Sequence, residues 1–211
     1  MTSRWVVFDA MGVIFEVGDD VGELLVPFVL EHNPAASVST IQTLYHQASS
    51  GKIPAKRFWS DLGLGREYPA IEQEYLRTRL RLDPTFVDFA RRLHRDYRLG
   101  LLSNDVAEWS AQLRAMRGLD ELFDAILISG EAGVRKPCEG IYQMFLSRAR
   151  TSPEDCALID DSDQNLDMAS RLGFRTIRFS RESGRGPCRC SKCVASFDEL
   201  PPTLEDVFLD D

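Results

Sequence analysis

The sequence predicts an α/β protein: a parallel sheet with helices on both faces and an all-helical insertion after the first strand. Three observations support this. A short apolar run opens the chain. From residue 84 onward, further apolar runs alternate with amphipathic stretches, the rhythm of strand–helix–strand units. Between these regions, residues 16 to 83 carry helical periodicity and no strand pattern. The α/β core is therefore expected at 1–15 and 84–211, with a helical cap at 16–83.

The first strand is "WVVFDA" (5 to 10), which is apolar, β-branched and aromatic. In the insertion, Val21, Leu24, Leu25 and Phe28 share one helical face, and Pro27 suggests a kink or an early stop. Ile41, Leu44, Tyr45 and Ala48 repeat at helical spacing. "SSGK" closes that helix, and Pro54 opens a short one carrying Phe58 and Trp59. Residues 69 to 82 form a last, Arg-rich helix. Asp83-Pro84 reads as an N-cap and helix-starting proline, followed by Phe86, Phe89, Ala90, Leu93 and Tyr97 on one face.

"RLGLLSN" (98 to 104) is the second strand. The next helix aligns Val106, Trp109, Leu113 and Met116. "DAILIS" (124 to 129) is the third strand. The helix after Lys136-Pro137 turns Ile141, Met144, Phe145 and Ala149 inward. "CALIDDS" (156 to 162) is the fourth strand, and the helix at 163 to 172 stops at Gly173. "FRTIRFS" (174 to 180) is the fifth, and the tail "FDELPPTLEDVFLDD" reads as a short helix with an acidic end.

A length of 211 residues suits one substantial domain with a modest insertion. The net charge of -8 argues against general nucleic-acid binding, which needs a basic face, but leaves room for a small anionic substrate. No apolar run approaches the roughly 20 residues of a membrane span. The N-terminus has no signal-peptide pattern, so a cytoplasmic protein is expected. In a reducing compartment the five cysteines are not expected to form a disulfide framework. Cys188, Cys190 and Cys193 cluster as C-R-C-S-K-C and could hold Zn²⁺, although no fourth ligand is evident and free thiols are the simpler reading.

The polar residues at the strand ends carry the chemistry. The first strand ends in Asp9, the second in Ser103-Asn104 and the fourth in Asp160-Asp161; a loop after the third leads to Lys136. In a parallel sheet the carboxyl ends share one rim, so these residues should converge. Carboxylates from two strands can hold Mg²⁺, while Ser103 and Lys136 can hold a phosphate. Asp9 can attack phosphorus as a nucleophile. Asp9 could instead be a turn residue, Asp160-Asp161 a helix cap and Lys136 a surface charge; four groups in register favour the site.

The stretches "VVFDAMGVIF", "LGLLSND", "GEAGVRKPCEGIY" and "CALIDDSDQNLDMASRLGFRTI" resemble the haloacid dehalogenase superfamily, in the branch with a small helical cap after the first strand. The resemblance runs from Trp5 to about Phe179 and implies a Rossmann-like core. It implies a hydrolase, a Mg²⁺-dependent phosphatase of a small phosphorylated metabolite, working as a monomer or homodimer. Asp9 would be nucleophile and metal ligand, and the Met11 backbone carbonyl a second ligand. Ser103 and Asn104 would bind the transferring group, and Lys136 would neutralise phosphate and nucleophile. Asp160 and Asp161 would hold Mg²⁺, Asp161 the more directly.

Met11 departs from the pattern, because phosphatases of this superfamily usually carry an Asp there as general acid and base. Such help is typically worth ~10²–10⁴-fold. Its absence implies a slow enzyme, a good leaving group, or an acid from elsewhere: Glu16, Asp19, Asp20 or His46. The 2-haloacid dehalogenases, which need no metal, have an aromatic residue at this position. The phosphonate-cleaving branch has a small residue there and a cap lysine, a role for which Lys52 and Lys56 are placed, although they read better as solvated. The adjacent carboxylates Asp160-Asp161 favour phosphoryl transfer. A catalytically silent binding protein is the remaining alternative. His32, His46 and His94 read as surface or partly packed, and Phe58 and Trp59 as cap core.

Overall fold

The structure is a computed structural model that describes residues 4–181 and 192–209. Six parallel strands form one sheet in the order β3-β2-β1-β4-β5-β6. These are β1 (Trp5–Phe8), β2 (Arg98–Ser103), β3 (Ala125–Ile128), β4 (Cys156–Asp160), β5 (Arg175–Phe179) and β6 (Cys193–Val194). Successive side chains of a strand face opposite sides, and β1 shows it. Val6 and Phe8 join one buried cluster, while Trp5 and Val7 join the other.

The first face is covered by α5 (Phe86–Leu93), α6 (Ala107–Arg117) and α10 (Leu200–Leu209). The second carries α8 (Glu139–Ala149) and α9 (Asp163–Arg171), with the one-turn α7 (Ser129–Ala132) preceding them. Gly100 lets α8 approach closely: a Cβ there would lie 2.4 Å from Phe145 Cζ. Between β1 and α5 come α1 (Val26–His32), α2 (Val38–Ala48), α3 (Ala55–Asp61) and α4 (Ala70–Thr78). Their buried residues belong to the same cluster as the first face of the sheet. The chain enters and leaves this helical stretch along paired segments. Phe15 bridges Leu82, Glu16 N donates to Arg81 O at 3.0 Å, and Asp83 N donates to Ile14 O at 2.9 Å.

Several local expectations need correction. Pro27 neither stops nor breaks its helix. A π-helical turn, Val21–Leu25, runs directly into α1, and Val26 N reaches back to Val21 O. Pro27, with no N–H to place, follows that change of register. Met116 and Met144 are 39% and 41% exposed rather than inward. On α8 the inward set is Ile141, Tyr142 and Phe145, and at 3.6 residues per turn Met144 lies roughly 110° round from their mean direction. Met116 sits in the last turn of α6. The α5 helix starts at Phe86; Asp83 accepts from Thr85 N at 2.8 Å just before it.

The two-residue β6 strand was not foreseen; β5 alone pairs with it. Cys193 on it is disulfide-bonded, so it has no thiolate for the possible Zn²⁺ site, and the expectation of reduced cysteines fails there. Cys188 and Cys190 lie outside the described residues. His32, His46 and His94 are exposed, and Phe58 and Trp59 are fully buried. No helix among the described residues is long and apolar enough to cross a membrane.

Candidate active site

The strand order turns about β1, and at that turn the carboxyl ends of β1 and β4 lie side by side. Asp9 directly follows β1, its N–H donating to Ile159 O at 2.9 Å. Ser103 ends β2, Asp160 ends β4, and Asp161 comes next. Lys136 arrives from the loop between α7 and α8. Its buried Nζ lies 2.9 Å from Asp9 Oδ1 and donates to Asp160 Oδ2 at 2.7 Å. Asp9, Lys136, Asp160 and Asp161 are thus brought together.

Each carboxylate is held differently. Asp9 Oδ1 also accepts from Ala10 N at 2.7 Å, which leaves Oδ2 without a hydrogen bond among the described residues. Asp160 is fully buried and heavily hydrogen-bonded: Oδ1 accepts from Ser162 N at 2.9 Å and Asn165 Nδ2 at 3.0 Å, and Oδ2 takes Lys136 and shares the Asn165 amide at 3.1 Å. Asn165 is itself fixed, its backbone oxygen accepting from Tyr142 Oη at 2.9 Å. Asp161 faces the loop after β1. Gly12, at φ +78°, and Gly18 both press on it, and a Cβ at either would sit 2.2 Å from Asp161 Oδ2. Only glycine gives both that approach and the left-handed turn at Gly12.

Ligand oxygens of Asp9, Asp160 and Asp161 all lie within 4.8 Å of one another, the one such group of His, Cys, Asp or Glu among the described residues. An all-oxygen carboxylate set suits Mg²⁺. Burial pushes Asp9 up to about 6, against the pull of Lys136. Burial, with the charges of Asp9 and Asp160, raises Asp161 to about 7. Burial alone would depress the Lys136 ammonium, but Asp160 and Asp9 outweigh it and hold it above its ordinary value. The cluster is short of positive charge, which a divalent cation would supply.

Ser103 Oγ is buried with no partner among the described residues, an orphan hydroxyl of the kind a phosphoryl oxygen would satisfy. Asn104 differs from expectation. Its Nδ2 donates to Lys136 O at 2.9 Å and its Oδ1 accepts from Lys136 N at 2.8 Å. The amide is spent on fixing the Lys136 backbone rather than offered to a ligand. The Met11 side chain lies in the apolar cluster and has no proton to give. Lys52 and Lys56 are exposed.

Sequence reasoning missed Asp105 and Asn165. Asp105 is buried, accepts from Val106 N at 2.7 Å, and burial pushes it up to about 7. It is the next residue in "LLSND", so the motif could have been read one position further. Asn165 stands five residues past Asp160 on the first turn of α9, at hand in "DDSDQN".

A family model described as haloacid dehalogenase-like hydrolase matches residues 4–173. Phosphoserine phosphatase of Thermus thermophilus is 34% identical over 97 residues, 46% of this chain and 38% of that protein. N-acylneuraminate-9-phosphatase of Mus musculus is 27% identical over 120 residues, 54% of this chain and 48% of that protein. The matched region thus spans less than half the length of either relative. In shape, the chain is similar to a solved HAD phosphatase from Thermococcus onnurineus, with a TM-score of 0.74 over 97% of this chain and 98% of that one, at 20% identity.

Proposed function

The chain belongs to the haloacid dehalogenase-like hydrolases, and we propose that it is a Mg²⁺-dependent phosphatase of a small phosphorylated metabolite, working through a phosphoryl group carried on Asp9. The observation that carries this reading is the Asp9–Lys136–Asp160 ion-pair chain beside Asp161, at the carboxyl ends of the central strands. Residues 16–83 are assigned as the cap that closes over it. Asp9, Asp161 and Asp160 would hold Mg²⁺ together with the Met11 backbone carbonyl, and Asp161, with fewer protein partners than Asp160, is its more direct ligand. When bound, the ion supplies charge neutralisation at the phosphate.

The chain's own residues do the rest. Lys136 is held by two carboxylates and by Asn104, so its ammonium is already in place beside the nucleophile. It favours the ionised form of Asp9 and balances charge on the transferring phosphoryl group. Ser103 Oγ donates to a phosphoryl oxygen. Asp9 Oδ2 attacks phosphorus, the bond to the leaving oxygen breaks, and water later attacks phosphorus to free phosphate and restore Asp9.

The test is turnover of p-nitrophenyl phosphate, whose leaving group needs little protonation. Wild type should show turnover with Mg²⁺ that EDTA removes, and Asp9→Asn should show none with either. Wild-type turnover no higher than the Asp9→Asn background defeats the reading. Release of halide from 2-chloropropionate without metal would place the chain with the dehalogenases instead.

A further inference from the structure

Resting on the phosphatase reading, we propose that Asp20 is the general acid and base that Met11 cannot be. The loop after β1 folds back over the site, because Gly12 and Gly18 both lie against the Asp161 carboxylate. Asp20 is two residues beyond Gly18, at the start of the π-helical turn. It is 8% exposed, makes no capping bond to the helical turn, and among the described residues only its own backbone N–H bonds to its carboxyl. A buried carboxyl with so little support from other residues is costly unless it has a task or a ligand.

Its neighbourhood points the same way. Tyr75 Oη is buried and has no partner among the described residues. Tyr45 Oη donates to Asn104 O at 3.3 Å, which sets this tyrosine at the end of β2, and the charge of Asp20 acts on both tyrosines. The charges of Asp105, Asp9 and Asp19 all act on Asp20, and with burial they hold it well above the ordinary carboxyl range. That direction favours the protonated form, which a donor needs. The other candidates lack this placement. Glu16 is exposed. Asp19 is exposed and accepts from Gly22 N at 2.9 Å. His46 is exposed on α2, and burial, Arg135 and Lys52 lower it.

The proton balance is direct. As Asp9 Oδ2 bonds to phosphorus, the bond from phosphorus to the leaving oxygen breaks. Its electron pair stays on that oxygen, which takes the Asp20 proton and departs as an alcohol. The Asp20 carboxylate then takes a proton from water as the water oxygen attacks phosphorus. The bond between phosphorus and Asp9 breaks, phosphate leaves, and both side chains return to their starting states.

The experiment is kcat/KM for phosphate monoesters ranging from p-nitrophenyl to simple alkyl leaving groups, in wild type, Asp20→Asn and Asp20→Glu. With an acid in place, wild-type rates should depend only weakly on leaving-group basicity. Asp20→Asn should lower alkyl-ester turnover by about 10²–10⁴-fold, at least tenfold more than it lowers p-nitrophenyl phosphate turnover, and Asp20→Glu should recover part of the loss. An equal loss on every ester, or no loss, overturns the proposal. A steep wild-type dependence overturns it too, even if Asp20→Asn does not fold, and leaves the phosphatase reading standing. Absence of all turnover in wild type defeats both.

Discussion

Replacing Lys136 with methionine is expected to abolish turnover and to lower stability by about 3–5 kcal/mol at pH 7 in EDTA, the usual cost of breaking a buried ion pair from one side. The ammonium is buried between Asp9 and Asp160 at 2.9 and 2.7 Å, and methionine keeps much of the stem while removing the charge. The two carboxylates would then share a dry site with no cation. The effect should depend on pH in a definite direction. Even with Lys136 present, Asp9 is raised from 3.8 to about 6, and losing the ammonium raises it further. A carboxyl raised in the folded state binds its proton more tightly there than in the unfolded chain. It therefore favours folding at low pH and loses that contribution as pH rises through the folded value. The gap between variant and wild type should widen from pH 4.5 to pH 7 in urea melts. A gap below 1 kcal/mol, or one that pH does not change, would mean the pair is not buried as described.

Glu72→Ala is expected to cost about as much, with no part in the chemistry. Glu72 on α4 is buried, and its Oε2 accepts from Trp59 Nε1 at 2.9 Å and Trp109 Nε1 at 2.7 Å. Its Oε1 accepts from Gln112 Nε2 at 2.6 Å. Trp59 belongs to the inserted helices, whereas Trp109 and Gln112 belong to α6 of the core, so one carboxylate ties the two together. Trp109 also lies among Tyr45, Phe58, Trp59 and Tyr75, with ring centroids 5.3 to 6.0 Å away. Alanine leaves two indole N–H groups buried without acceptors, at about 1–3 kcal/mol each, and opens a cavity besides. Glu72→Gln keeps the shape and one acceptor oxygen and should cost clearly less. Equal melting of the two variants would contradict this, since glutamine keeps both the shape and an acceptor, and would put the whole cost on the lost charge.

The contrast between these sites explains what the sequence could disclose. Asp9, Ser103, Asp160 and Asp161 sit at or just past the ends of apolar runs, and a parallel sheet places such ends on one rim. Their convergence follows from strand direction alone, and Lys136 follows from its loop. Glu72 meets Trp109 across 37 positions of sequence, and no periodicity encodes that meeting. Asp20 is similar: its burial exists only once the β1 loop has folded over Asp161. The β6 strand, two residues long, owes its pairing to β5 rather than to a pattern of its own. Asn104 was legible as a site residue, but its work on the Lys136 backbone was not, because a main-chain partner leaves no trace in side-chain identity.

The central claim is that Asp9 carries the phosphoryl group. Acid quench of wild type turning over p-nitrophenyl phosphate with Mg²⁺, followed by peptide mass mapping, tests it directly. The peptide containing Asp9 should gain one phosphoryl group that hydroxylamine removes, and the same peptide from Asp9→Asn should gain none. Sustained turnover with no phosphoryl group on that peptide, or with the group on another residue, would contradict the account.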